Sequence, residues 1–90
     1  MARPHAAPDV FRAIAHPVRR SILQRLHREG PLSVSTIAQP IRMSVPSVSN
    51  HIQILRVAGL IVPQPSGREL HYSVVSRRLG AVDKWMQTMK

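Results

Sequence analysis

The chain has 90 residues, with 13 Lys and Arg against 4 Asp and Glu, and a formal net charge of +9 at pH 7. This length suffices for one small domain, and such a basic balance is typical of proteins that bind nucleic acid or another polyanion. No cysteine is present, which excludes disulfides, thiolate metal sites and thiol redox chemistry. Because the sequence has no membrane-spanning apolar run and no hydrophobic signal core, we expect a cytoplasmic protein without membrane insertion.

The first third of the chain predicts a basic arm followed by two helices. Residues 1–7 are expected to form a flexible arm before a single domain over residues 8–90. Asp9 starts the first helix, which ends at His16 because a residue before proline is disfavoured in the α region. Pro17 opens a second helix that runs to about residue 29, and its arginines are interpreted mainly as a solvated face.

Two further helices are predicted, separated by a tight turn. A short third helix is expected over residues 32–42, capped by Ser33 or Ser35. A fourth helix begins after Ser44, a good capping residue, and ends at Gly59, which can adopt a left-handed conformation. A short helix, a turn and a second capped helix predict a helix-turn-helix unit.

The fourth predicted helix has two contrasting faces. Apolar residues recur at i, i+4 and i+7 and predict a buried stripe of Val48, Ile52 and Leu55. The opposite face carries short, uncharged side chains, and residues 44–60 contain no carboxylate. A solvated helix face usually mixes acidic and basic residues, so a neutral face rich in hydrogen-bonding groups favours insertion into the groove of a polyanion.

The composition changes after the fourth helix and predicts a β-hairpin, which we interpret as a wing. Residues 60–62 are a β-rich run, residues 63–67 are turn formers that include two prolines, and residues 68–75 alternate in hydropathy. The two prolines favour an edge strand with a stiff turn. The predicted fold is mainly α with a small β-hairpin (α+β), a winged helix-turn-helix in the order α-α-α-α-β-β-α.

The last predicted helix, capped by Ser76 and running to about Met89, carries an apolar seam. Its apolar residues, from Val75 onward, are spaced 4, 3, 4 and 3, the pattern by which two helices pack together. An ordinary core-facing helix is the alternative. Because the preceding elements already supply an apolar core, we predict that the first and last helices form a homodimer interface. Its residues are Val10, Phe11, Ile14, Leu79, Val82, Trp85, Met86 and Met89.

Two segments, FRAIAHPVRRSIL (residues 11–23) and SVSNHIQILRVAGLI (residues 47–61), resemble the ArsR/SmtB winged-helix repressors. The resemblance extends in matching order from about Asp9 to Met89, and residues 38–46 are most similar to members without metal sites. It implies a homodimer joined through the first and last helices. It also implies that the helix after Ser44 enters the major groove of DNA while the hairpin lies near the minor groove.

The chain departs from the metal-sensing members of that family. The metal-sensing members have cysteines in their third helix, at positions that resemble those of Ser33 and Ser35 in this chain. A serine hydroxyl does not replace a thiolate as a soft-metal ligand. Residues 76–90 contain Asp83 as their only acid and no histidine. We therefore expect no metal site and no cofactor, and the effector stays unknown. Because the five histidines are scattered, only an inter-subunit site remains as an alternative.

The residues expected to contact double-stranded DNA fall into two groups. Asn50 is the strongest base reader, since an amide can pair bidentately with adenine. The predicted base-reading set is Pro46, Ser47, Asn50 and Gln53. The predicted contacts to the DNA backbone or from the wing are Arg42, Ser44, Ser49, His51, Arg56, Gln64, Ser66 and Arg68.

The predicted function is that of a dimeric, sequence-specific transcriptional repressor that binds an inverted-repeat operator. Two alternatives remain from the sequence: a winged-helix module that binds another protein, and a basic DNA-binding protein without sequence preference. An enzyme is not expected, because Ser49, His51 and Asp83 give no sign of a cleft or an oxyanion hole.

Overall fold

The computed structural model describes residues 9–89, which form five α-helices, a 3₁₀ turn and a three-stranded antiparallel sheet. The predicted arm, residues 1–7, lies outside the described residues. In chain order the elements are α1 (Val10–Ala13), α2 (Pro17–Glu29), β1 (Leu32–Ser33), α3 (Val34–Ala38), α4 (Val45–Val57), β2 (Ile61–Ser66), β3 (Glu69–Val74), the 3₁₀ turn (Ser76–Leu79) and α5 (Gly80–Gln87).

The first two helices begin where the sequence predicts, but α1 is shorter than expected. Asp9 caps α1 by accepting a hydrogen bond from the backbone N–H of Arg12 at 3.0 Å. The helix is only 4 residues long, because Ile14 already leaves the helical conformation. His16 caps α2, since its Nδ1 accepts from the Val18 N–H at 3.1 Å, and Pro17 occupies the first turn, where it needs no donor.

The region predicted as a third helix divides into a strand and a shorter helix. Ser33, rather than Ser35, caps α3 by accepting from the Thr36 N–H at 3.2 Å. Leu32 and Ser33 pair with β3 and so form a strand that the sequence analysis did not predict. The helical assignment of residues 39–42 is wrong, because α3 ends at Ala38, ahead of Pro40.

Helix α4 lies against the core along its predicted stripe. Ser44 is its cap, accepting from the Ser47 N–H at 3.2 Å, and Gly59 ends the segment with φ 78°, a value that favours glycine. The side chains of Val48, Ile52 and Leu55 are each 0% exposed. The core that they join comprises Ala13, Ile22, Leu23, Leu26, Ile37, Ala38, Val48, Ile52, Leu55, Ala58, Leu60, Ile61 and Tyr72.

The sheet has the strand order β1-β3-β2, so β2 is an edge strand as the two prolines predict. Both prolines lie inside β2, where Pro63 pairs with Tyr72 and Pro65 with Leu70. The expected five-residue loop is therefore wrong: the turn consists of Gly67 and one following residue. Gly67 has φ 63° and no other residue of the turn has positive φ, the arrangement of a type II′ hairpin turn.

The C-terminal segment differs from the single capped helix that the sequence predicts. Ser76 begins a 3₁₀ turn and makes no capping hydrogen bond, and α5 starts only at Gly80. Leu79 nevertheless packs against the core, and α5 lies beside α1. The predicted fold class is confirmed, since the described residues form a helix-rich winged helix-turn-helix with one small antiparallel sheet.

Candidate nucleic-acid interface

The outer face of α4 is exposed and uncharged along its first two turns. The side chains of Pro46, Ser47 and Asn50 are exposed, and Gln53 is half-buried one turn further on. Pro46, Asn50 and Gln53 follow one another at i, i+4 and i+7, which places them on one side of the helix. An amide, a hydroxyl and an apolar ring on one helical face provide the donor, acceptor and methyl contacts by which base edges are read.

The N-terminus of α4 is ordered by its own serines. The Ser44 hydroxyl donates to the Ser47 hydroxyl at 2.9 Å and accepts from the Ser47 N–H, while both side chains remain exposed. Ser49 is half-buried on the neighbouring flank. Because the cap keeps Ser44 and Ser47 close together, the first turn presents two hydroxyls beside a positive helix end, a suitable arrangement for a phosphate oxygen.

The wing extends a second polar surface. Gln64, Ser66 and Arg68 are exposed along the outer half of the hairpin, and Arg68 lies in the turn itself. No acid from the described residues is within ion-pair distance of Arg68. The tip of the wing therefore carries a positive charge that is available to a DNA backbone or to a minor groove.

Three of the arginines on α2 hold the ends of helices and are not simply the solvated face that the sequence predicted. Arg19 and Arg20 donate to the carbonyl oxygens that end α1, at 2.7 Å to Ala13 and 2.9 Å to Ile14. Arg25 does the same at the end of α3, donating to the Thr36 carbonyl at 3.0 Å. These guanidinium groups complete helix ends that would otherwise leave carbonyls unpaired.

Two of the predicted phosphate contacts remain exposed near α4. Arg42 lies in the turn before the helix, and Arg56 lies in its last turn. Arg56 Nη1 is 3.5 Å from the Gln53 Oε1, at the outer limit for a hydrogen bond, so the guanidinium is held only weakly.

The prediction that His51 contacts the DNA backbone is corrected by its burial. The side chain is only 8% exposed, its Nδ1 lies 3.2 Å from Arg19 Nη1, and its ring centroid is 4.6 Å from that of His16. The burial of His51 could have been predicted from the spacing of the sequence. His51 completes the i, i+3, i+4, i+7 stripe with Val48, Ile52 and Leu55, the spacing of a core-facing helix side.

The predicted dimer residues separate into core-packed and exposed members. Val10, Ile14 and Leu79 pack against the core, and Val82 is half-buried. The outer members form what we call the apolar patch: Phe11 (45% exposed), Trp85 (53%), Met86 (48%) and Met89 (64%). The rings of Phe11 and Trp85 meet edge to face at 6.1 Å, which joins α1 to α5 within one continuous patch.

Residues 9–89 contain neither a clustered metal-ligand set nor a helix suited to cross a membrane. These residues contain no group of three or more His, Asp or Glu side chains placed to hold a metal ion. None of their helices has both the length and the apolar character needed to cross a bilayer.

Several known proteins are similar to this chain in sequence and in architecture. A helix-turn-helix domain family matches residues 14–64. The transcriptional repressor SdpR of Bacillus subtilis is 36% identical over 87% of this chain and 86% of its own length. The HTH-type transcriptional regulator Rv2034 of Mycobacterium tuberculosis is 34% identical over 87% of this chain and 73% of its own length.

A solved structure extends the similarity to most of the chain. The crystal structure of an ArsR family transcriptional regulator superimposes with a TM-score of 0.79 at 37% identity, covering 88% of this chain and 86% of that one. The superposed part is longer than the stretch of residues 14–64 that matches the helix-turn-helix domain family. The chain therefore belongs to the ArsR family of winged helix-turn-helix DNA-binding transcriptional repressors, which are not enzymes.

Proposed function

We propose that the chain is a homodimeric repressor that binds an inverted-repeat operator in double-stranded DNA and needs no metal or other cofactor to do so. In this proposal residues 8–90 form the single domain of each subunit. Helix α4 enters the major groove, and the wing approaches the adjacent backbone or minor groove. The apolar patch joins two copies about a two-fold axis, which is why the operator is an inverted repeat.

The outer face of α4 is the observation that carries this proposal. Pro46, Ser47 and Asn50 are exposed on a helix segment without a carboxylate, in a protein whose net charge is +9. The charge supplies attraction to any DNA, but an uncharged face adds little to that attraction. What the uncharged face of α4 can contribute is direct hydrogen bonds to base edges. This favours sequence-specific binding over the two alternatives, a non-specific basic protein and a protein-docking module.

Selection from a random duplex pool tests the proposal directly. We expect enrichment of an inverted repeat whose half-site centres lie about 10 bp apart, one helical turn. Binding without enrichment would support the non-specific alternative. Failure to bind the pool at all would support the protein-docking module.

We predict that Asn50→Ala weakens binding to the selected operator by about 1–3 kcal/mol and relaxes the preference at one base position in each half-site. The amide is exposed and its loss leaves the buried stripe of α4 intact, so folding should be unchanged. Fluorescence anisotropy with the operator and its single-base variants measures both effects. Unchanged affinity and unchanged preference would show that Asn50 does not read a base.

Arg68→Ala serves as the matched comparison, because it removes a charged side chain from the wing and none from α4. We expect this change to weaken all duplex sequences by a similar factor and to lower the slope of log K against log salt by about 1. Base preference should not change. A preference that shifts at one base position would instead assign Arg68 to a minor-groove contact.

A further inference from the structure

Arg19 connects three helices through one guanidinium group. Its Nε donates to the Ala13 carbonyl at 2.7 Å and its Nη2 to the Arg12 carbonyl at 3.3 Å, at the end of α1. Its Nη1 lies 3.2 Å from the Nδ1 of His51, in the middle of α4. Arg19 itself belongs to α2. A single side chain therefore holds the helix that presents Asn50 against a helix of the apolar patch.

The hydrogen-bond chemistry fixes the protonation state of His51 in this arrangement. A guanidinium group can only donate, so the Nδ1 that faces it must accept, and the ring proton must reside on Nε2. His16 is constrained in the same way, because its Nδ1 accepts from the Val18 N–H. The His51 ring is thus neutral in this arrangement. A second proton on His51 would set one N–H against another and two positive charges 3.2 Å apart.

No acid of the described residues forms an ion pair with His51. The elements in most extensive contact with α4 are α2, α3 and β2, and the segments of α3 and β2 contain no titratable side chain. From α2 and its cap, the groups facing His51 are Arg19 and His16. Asp9 and Arg12 line a groove shared with Arg19, but neither is hydrogen-bonded to His51. Burial first, and then His16 and Arg19, lower the pKa of His51 from its usual 6.5.

We propose that the Arg19–His51 bond positions the recognition helix α4 for operator binding and that protonation of His51 breaks it, so that acid releases the operator. This regulation rests on the proposed function. The bound state requires neutral His51, whereas the protonated protein prefers a conformation in which α4 is no longer held against α1. Because a proton binds only one of the two states well, acidification moves the population toward the weak-binding state.

The direction in which operator affinity changes with pH distinguishes the proposed His51 effect from the general attraction between a basic protein and DNA. Histidines that gain charge on acidification strengthen the attraction of a basic protein to any DNA. The Arg19–His51 link predicts the opposite for the operator. One coupled proton can weaken binding by up to about tenfold per pH unit once His51 begins to titrate.

The experiment measures operator and random-duplex affinity between pH 7.5 and pH 5.5 at constant ionic strength. We expect the operator affinity of the unmodified protein to fall several-fold, while random-duplex affinity stays constant or rises. His51→Asn keeps an oxygen near the Nδ1 position to accept from Arg19 but cannot titrate. We expect this variant to lose the acid response. His27→Asn, at an exposed site on α2, is the matched control and should keep it.

A second measurement tests the link without DNA and so remains informative if no operator is found. Nitrogen–proton correlation spectra of the histidine rings should show His51 as the Nε2–H tautomer at pH 7.5, with a titration midpoint below 6.5. Arg19→Met, which removes the positive charge and every donor but keeps an apolar stem, should change that tautomer ratio and raise the midpoint. If His51→Asn does not fold, these spectra and Arg19→Met decide the question. A charged His51 at pH 7.5, or equal acid responses in His51→Asn and the unmodified protein, would overturn the proposal.

Discussion

Replacing Trp85 and Met86 with glutamate is expected to convert the proposed dimer into a folded monomer. The two side chains are 53% and 48% exposed within one chain, so their replacement leaves the core intact. In the proposed dimer they are covered, and a buried aromatic side chain of this size removes about 150–250 Å² from water. Four glutamates around one two-fold axis would have to be buried or repel one another, which costs more than such an interface supplies.

Loss of the dimer should reduce operator affinity far more than any single change on α4. A monomer can engage only one half-site, and the advantage of linked binding, typically about 10²–10⁴-fold, disappears. Native mass spectrometry and operator titration measure the two effects. The control is the double variant Gln24→Glu and His27→Glu, which adds the same number of carboxylates to exposed positions of α2. A one-chain mass for the unmodified protein would refute the dimer itself.

Leu55→Ala is expected to lower the free energy of unfolding by about 2–5 kcal/mol, a large part of the roughly 5–15 kcal/mol that stabilises a typical domain. Leu55 is 0% exposed and lies on the core side of α4, so truncation leaves a cavity beneath the recognition helix. Urea unfolding at one fixed protein concentration measures the change, because the stability of a dimer depends on concentration.

Val57→Ala provides the control within the same helix. Val57 is 72% exposed, and a surface substitution of this kind usually changes stability by less than about 0.5 kcal/mol. Both variants shorten an aliphatic side chain of α4, so the main difference between them is the burial of that side chain. If both reduced stability equally, the assignment of the core side of α4 would be incorrect.

The sequence was most informative where a pattern is local and repeated. Ser44, the buried stripe of α4 and Gly59 each depend on residues within a few positions, and the structure has all three as predicted. The residues of the apolar patch that lie in the C-terminal segment were also predicted to share one side, because helical spacing shows which side chains lie on the same face. Whether a second chain covers that face stays a prediction.

The sequence was less informative where a distant partner decides the structure. Leu32 and Ser33 become a strand only because β3 lies beside them, about forty residues further along the chain. His51 looked like a surface residue of a DNA-binding helix, but Arg19, which is 32 residues earlier, turns it into a buried acceptor. Side-chain chemistry alone does not reveal such long-range pairings.

The two prolines of β2 have a consequence for the behaviour of many copies of this protein at once. Pro63 and Pro65 occupy alternate positions, and since neither has an N–H they cannot belong to the hydrogen-bonded pairs with β3. Their nitrogen atoms therefore face the open edge of the sheet. An exposed strand edge is ordinarily a template on which another chain can add a strand and begin to aggregate. Here that edge lacks two of its donors, so the wing can protrude as an open hairpin without recruiting the wings of other molecules.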